Sequence, residues 1–91
     1  TGERRLMLAI LEDAVQVYCK FCHATDAERQ RLFRDAEEWI IDKDRSHLFS
    51  FDNVCEILGL DPEYMRAGLL RWKDATLRGR PLKARVHSLA G

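Results

Sequence analysis

The sequence predicts an all-α, four-helix domain whose last two helices form a helix-turn-helix. Three observations predict it. Apolar residues recur at three- and four-residue spacings, with no strand-like alternation. Polar or glycine-containing breaks fall at Ala24-Thr25-Asp26, from Asp42 to His47, at Gly59-Leu60-Asp61 and at Arg78-Gly79-Arg80-Pro81. Pro and Gly are otherwise scarce, two and five in 91 residues, so the stretches between breaks can run as helices. The length suits one domain with one core, expected over residues 1–81, with 82–91 a basic flexible tail.

Helix 1 is expected from about Arg4 to Cys22. Met7, Ile10, Leu11, Ala14, Tyr18 and Phe21 share one face, widened by Val15, Val17 and Cys22. Thr25 and Glu28 have capping-box spacing for helix 2, from about Asp26 to Asp42. Its core face is Leu32, Phe33, Ala36, Ile40 and Ile41, with Trp39 at the flank. Carboxylates at Glu38 and Asp42 oppose the helix dipole, so that end should fray near Lys43. Ser50 caps helix 3, from Phe51 to about Leu58, with Val54, Cys55 and Leu58 inward. Helix 4 runs from Pro62 to about Leu77, capped by Asp61, with Met65, Leu69, Trp72 and Thr76 as its buried stripe.

Charge is balanced but unevenly placed. Residues 1–60 carry eight Lys/Arg against twelve Asp/Glu, and residues 61–91 seven against three, which points to an anion-binding end. No apolar run is long enough to span a bilayer, and no signal peptide is visible. Three cysteines, an odd and low count, fit a reducing cytoplasm better than a disulfide scaffold.

Residues 51–72, FDNVCEILGLDPEYMRAGLLRW, carry the functional signal. Cys55 is small enough for a crossing helix to approach, Gly59 permits a left-handed turn, and Val54, Leu58, Leu60 and Met65 can face a shared core. Gly68 stands where an aliphatic residue is usual, so Leu69 or a close approach of helix 1 should replace its packing. Over residues 50–73 the chain resembles the helix-turn-helix of bacterial transcription regulators and of sigma-factor DNA-binding regions. A wider run, from Glu38-Trp39-Ile40 to Leu60-Asp61-Pro62, looks like small bacterial proteins, some of them phage-derived.

That resemblance implies double-stranded DNA as partner, with helix 4 in the major groove and Pro62, Glu63, Arg66, Ala67 and Leu70 facing outward. Arg66 would read guanine, Glu63 accept from cytosine, Tyr64 touch phosphate or sugar, and Arg71 and Lys73 contact phosphates. Arg66→Ala would then lose sequence discrimination. Leu77-Arg78-Gly79-Arg80-Pro81 resembles the core of an AT-hook, with Leu77 in place of the usual leading Pro. The same residues also read as a helix end with favourable cations and a Pro stop. Lys83, Arg85 and His87 extend the basic tail, and Lys83 is the next candidate phosphate contact.

Cys19-Lys20-Phe21-Cys22-His23 matches the c-type haem attachment pattern, with Met65 or Met7 as a sixth ligand. The motif continues an amphipathic helix and lacks Gly/Pro-rich wrapping loops, so structural cysteines are expected. Zinc through Cys19, Cys22, His23 and Cys55 would lack a second paired knuckle. No cofactor or metal is expected. No phosphate loop or nucleophile–base pattern marks an enzyme.

The resulting expectation is a bacterial or phage transcriptional regulator, cytoplasmic, with helix 1 as a dimer face. The alternative is a protein-binding adaptor on the same fold. Asp61 and Glu63 favour the adaptor, since they repel a DNA backbone.

Overall fold

The computed structural model describes residues 2–79. It is all-helical there: α1 (Gly2–Lys20), α2 (Ala27–Ile41), α3 (Phe51–Ile57) and α4 (Pro62–Leu77). No described helix is long and apolar enough to cross a membrane.

The helix starts follow local chemistry. Ser50 accepts from the Asn53 backbone N–H to cap α3 at 3.3 Å. The α2 cap falls one residue later than the capping-box spacing implies. Asp26, not Thr25, occupies the position, and its carboxylate accepts from the Arg29 N–H at 3.1 Å. A charged acceptor at a helix N-terminus outcompetes a neighbouring hydroxyl, because it also meets the helix dipole. Helix 1 stops at Lys20, two residues short of expectation, and Phe21 to Asp26 form the turn into α2.

The core is built from Met7, Leu11 and Tyr18 of α1, Ala36 and Ile40 of α2, and Phe51, Val54 and Cys55 of α3. Tyr18 stacks on Phe33, with ring centroids 4.9 Å apart, and Trp39 meets Phe51 edge-on at 5.4 Å. Leu32 and Ile41, expected inside, lie on the exposed side of α2. The face that meets the core is Phe33, Ala36 and Ile40, and the next residue along a helix is rotated about 100° away from it.

The connector between α2 and α3 is tied down rather than loose. Asp42 accepts from the Asp44 N–H and Asp44 from the Ser46 N–H, both at 2.9 Å. The Asn53 side-chain amide donates to the carbonyls of Arg45 and His47. Trp39 Nε1 donates to the Phe49 carbonyl at 2.8 Å. The polar segment therefore has its backbone groups bonded to both flanking helices.

Helix α4 departs most from expectation. Pro62, Met65, Arg66, Leu69, Lys73 and Thr76 form its inward face, and Arg66 is its one fully buried residue. Trp72, expected inside, is 38% exposed at the edge of this face. The stripe is turned so that two cations point inward, each towards a carboxylate of another helix. Helix 1 does not close over Gly68, since a Cβ built there would meet nothing within 4 Å. Packing on that side comes from Met65 and Leu69, which lie against the core.

Candidate nucleic-acid interface

The joint between α3 and α4 is a local device. Leu58 ends α3, and Gly59 follows with φ 79°, a left-handed conformation that costs glycine little. Gly59 N–H donates to the Glu56 carbonyl at 3.0 Å and Leu60 N–H to the Cys55 carbonyl at 2.8 Å. These two bonds make a Schellman stop, which satisfies carbonyls that α3 would otherwise leave open. Asp61 then caps α4, accepting from the N–H groups of Glu63 (3.0 Å) and Tyr64 (3.3 Å), with Pro62 in the first turn.

Arg66 locks α4 against the rest of the chain. Its Nε donates to the Ile40 carbonyl at 2.8 Å, and Nη2 reaches the Asp42 carbonyl at 3.5 Å. Nη2 also pairs with Asp52, which is buried too. The guanidinium lies over the Phe51 ring, 5.1 Å from its centroid. Nη1 sits 3.0 Å from a Glu63 carboxylate oxygen as an ion pair, without hydrogen-bond alignment. A cation thus occupies the C-terminal end of α2, where orphan carbonyls and the negative end of the dipole favour it. This reverses the fraying expected at that end.

The role expected for Arg66 is corrected accordingly. It is 4% exposed and its Nε and Nη2 are bonded inside the domain, so it does not face a major groove. Lys73 is also turned inward. It pairs with Glu37, which accepts as well from the Tyr18 hydroxyl at 2.8 Å, and its ammonium lies 5.9 Å from the Phe33 centroid. Burial, followed by the hydrogen bond to Glu37, pushes the Tyr18 phenol well above its usual range. Lys73 is therefore a tie between α4 and α2, not an open phosphate contact.

The other expected contacts lie in different places. Glu63, Tyr64, Ala67 and Arg71 are exposed on the outer side of α4, Tyr64 at 72%. Arg71 has no ion pair among the described residues. Leu70 is half-buried at the margin of this face, and Pro62, also expected outside, belongs to the inward face. Arg78 ends α4 and pairs with Asp74 at 3.1 Å, and Gly79 follows at φ 71°. The Arg-Gly step thus begins as a helix stop. Arg80, Lys83, Arg85, His87 and the rest of the basic tail lie outside the described residues.

At the end of α1, Cys19 and Cys22 are half-buried free thiols, and burial raises both above their usual values. Protonated thiols are poor ligands and poor nucleophiles. His23 is exposed. Among the described residues, no group of three His, Cys, Asp or Glu side chains is placed to hold a metal ion. Cys55 is fully buried in the core, and burial pushes its thiol up to about 11.

No protein-family model, curated protein or solved structure matches this chain.

Proposed function

We propose that the chain binds double-stranded DNA, using α3, the Gly59 turn and α4 as a helix-turn-helix. The observation that carries this reading is the outer face of α4. Tyr64, Ala67 and Arg71 stand exposed on a helix anchored from behind by Arg66. A reading helix must keep its orientation while its outer side chains remain available, and the Arg66–Asp52 pair favours that division. With Arg66 inside, base contact falls to Glu63, Tyr64, Ala67 and Arg71. Ala67 suits a thymine methyl group and Arg71 a phosphate or a guanine edge. Arg78, Arg80 and Lys83 supply further backbone contacts, with little information about sequence. The discrimination expected is therefore modest. A transcription-regulating role would need a second copy to lengthen the site.

Fluorescence anisotropy with a set of labelled duplexes at several salt concentrations tests this. The expected result is binding at about micromolar strength or tighter, with affinity falling steeply as salt rises. Arg71→Ala should weaken binding to all duplexes and reduce the salt slope by about one. No binding at low salt rejects the reading.

One observation favours a second reading, a protein-binding adaptor. Asp61 and Glu63 put exposed carboxylates at the front of α4, beside exposed Tyr64 and Leu60. Carboxylates repel phosphates, whereas an aromatic and a leucine suit a protein surface. Failure of DNA binding with an intact fold would move the proposal to this partner class.

A further inference from the structure

A second surface lies where α1 begins and α3 ends. Arg4, Arg5, Leu8, Leu58 and Leu60 line a groove of about 340 Å³ there. Leu8 is 45% exposed and Leu60 37%, so the leucines line the groove while still meeting water. Arg4 Nη1 donates to the Ile57 carbonyl at 3.2 Å, which fixes that guanidinium at the end of α3. Neither Arg4 nor Arg5 has a carboxylate partner among the described residues, and no lining residue is acidic.

We propose that this groove docks a short amphipathic helix of a partner protein, carrying leucine-like side chains and flanking carboxylates. The apolar side chains would lie among Leu8, Leu58 and Leu60, and the carboxylates would meet Arg4 and Arg5. Three features favour this occupant. Leu8 and Leu60 remain exposed in the groove, which suits the face of a docked helix better than a small ligand that must be largely enclosed. A DNA backbone presents mostly phosphate charge and little apolar surface to cover three leucines. A second copy of this chain is a poorer match, because its acidic groove at Glu37, Glu38, Ile41 and Asp42 presents one apolar side chain to three leucines, is lined also by Arg34, and has Glu37 already paired with Lys73. The groove shares Leu60 with the front of α4 but contains none of Tyr64, Ala67 and Arg71.

An amide-resolved NMR titration of the full chain tests the proposal. The probe is a synthetic peptide of about twelve residues, three helical turns, with leucines three and four apart and glutamates beside them. A control peptide carries lysine for each glutamate. The acidic peptide should shift the amides of Arg4, Arg5, Leu8, Leu58 and Leu60, and the control should not. Arg5→Glu and Leu8→Glu, both at exposed positions, should each weaken binding at least about tenfold while the thermal transition stays unchanged. The proposal is overturned if about 1 mM peptide shifts nothing, or if Arg5→Glu leaves the shifts intact. It is overturned equally if duplex DNA, or raised protein concentration alone, moves these same amides. Loss of duplex binding in Arg71→Ala would leave the peptide result unchanged, so the two readings fail separately.

Discussion

Replacing Arg66 by alanine should destabilise the domain. The side chains of Arg66 and Asp52 are 5% and 7% exposed, so removing the cation leaves a buried carboxylate without its main partner. Breaking such a pair typically costs about 3–5 kcal/mol. Arg45 stays within 3.4 Å of Asp52 but is half exposed, so it compensates only in part. The Ile40 carbonyl also loses its 2.8 Å donor, although a helix-end carbonyl can take water instead. The lower end, about 3 kcal/mol, is the expected loss. For a domain this size that lowers the melting temperature by about 12–24 °C. Circular dichroism during thermal and urea unfolding measures it. Arg66→Met should lose nearly as much, because it keeps the stem but not the donors. Combining Arg66→Met with Asp52→Leu should recover at least about 1 kcal/mol, since no buried charge is left unpaired. An Arg66→Ala protein within about 0.5 kcal/mol of the original would refute the reasoning, as that is the range of an ordinary surface change. So would a double variant less stable than Arg66→Met.

Gly59→Ala should cost about 1–2 kcal/mol in the same unfolding experiment, entirely from backbone strain, because φ is 79° and a Cβ would touch nothing within 4 Å. A neutral result would mean that the turn relaxes without glycine. Thiol labelling in the folded protein should modify Cys19 and Cys22 while Cys55 stays protected until the chain opens. Cys55 is 0% exposed, and its thiol is held at about 11 by burial, so little thiolate exists at neutral pH. Mass-resolved labelling that reached Cys55 as fast as the other two would contradict the packing of α3.

What could be read from the chain was local. The caps at Ser50 and Asp61, the glycine stop at Gly59 and the helix start at Pro62 each depend on residues within a few positions, and each is found in place. The orientation of α4 depends instead on distant partners. Arg66 turns inward because Asp52, 14 residues away, and the Ile40 carbonyl receive it; Lys73 turns inward because Glu37, 36 residues away, does. Periodicity sorts residues by polarity, so it puts every arginine outside and draws the buried stripe through Trp72 instead. Phe51 was missed for a related reason. Next to a capping serine it looks like a helix start, whereas it is fully buried in the core with Trp39 edge-on against it. The candidate site was therefore half legible: Tyr64, Ala67 and Arg71 do face outward, whereas the residue expected to matter most does not.

The attachment of α4 has a consequence for the order in which the chain comes apart. α1, α2 and α3 share an apolar core, whereas α4 contributes to it only the partly buried Met65 and Leu69 and is otherwise held through Arg66 and Lys73, by ion pairs, carbonyl hydrogen bonds and contacts with the Phe51 and Phe33 rings. Opening α4 alone would expose little hydrocarbon and let water solvate both ion pairs. Its amides should therefore exchange with solvent through a cheaper, partial opening, ahead of the whole-domain transition that releases Met7, Ile40 and Val54. The element proposed to meet a partner has the smallest apolar share in the core, and a ligand that holds it down would raise its protection more than that of any other helix.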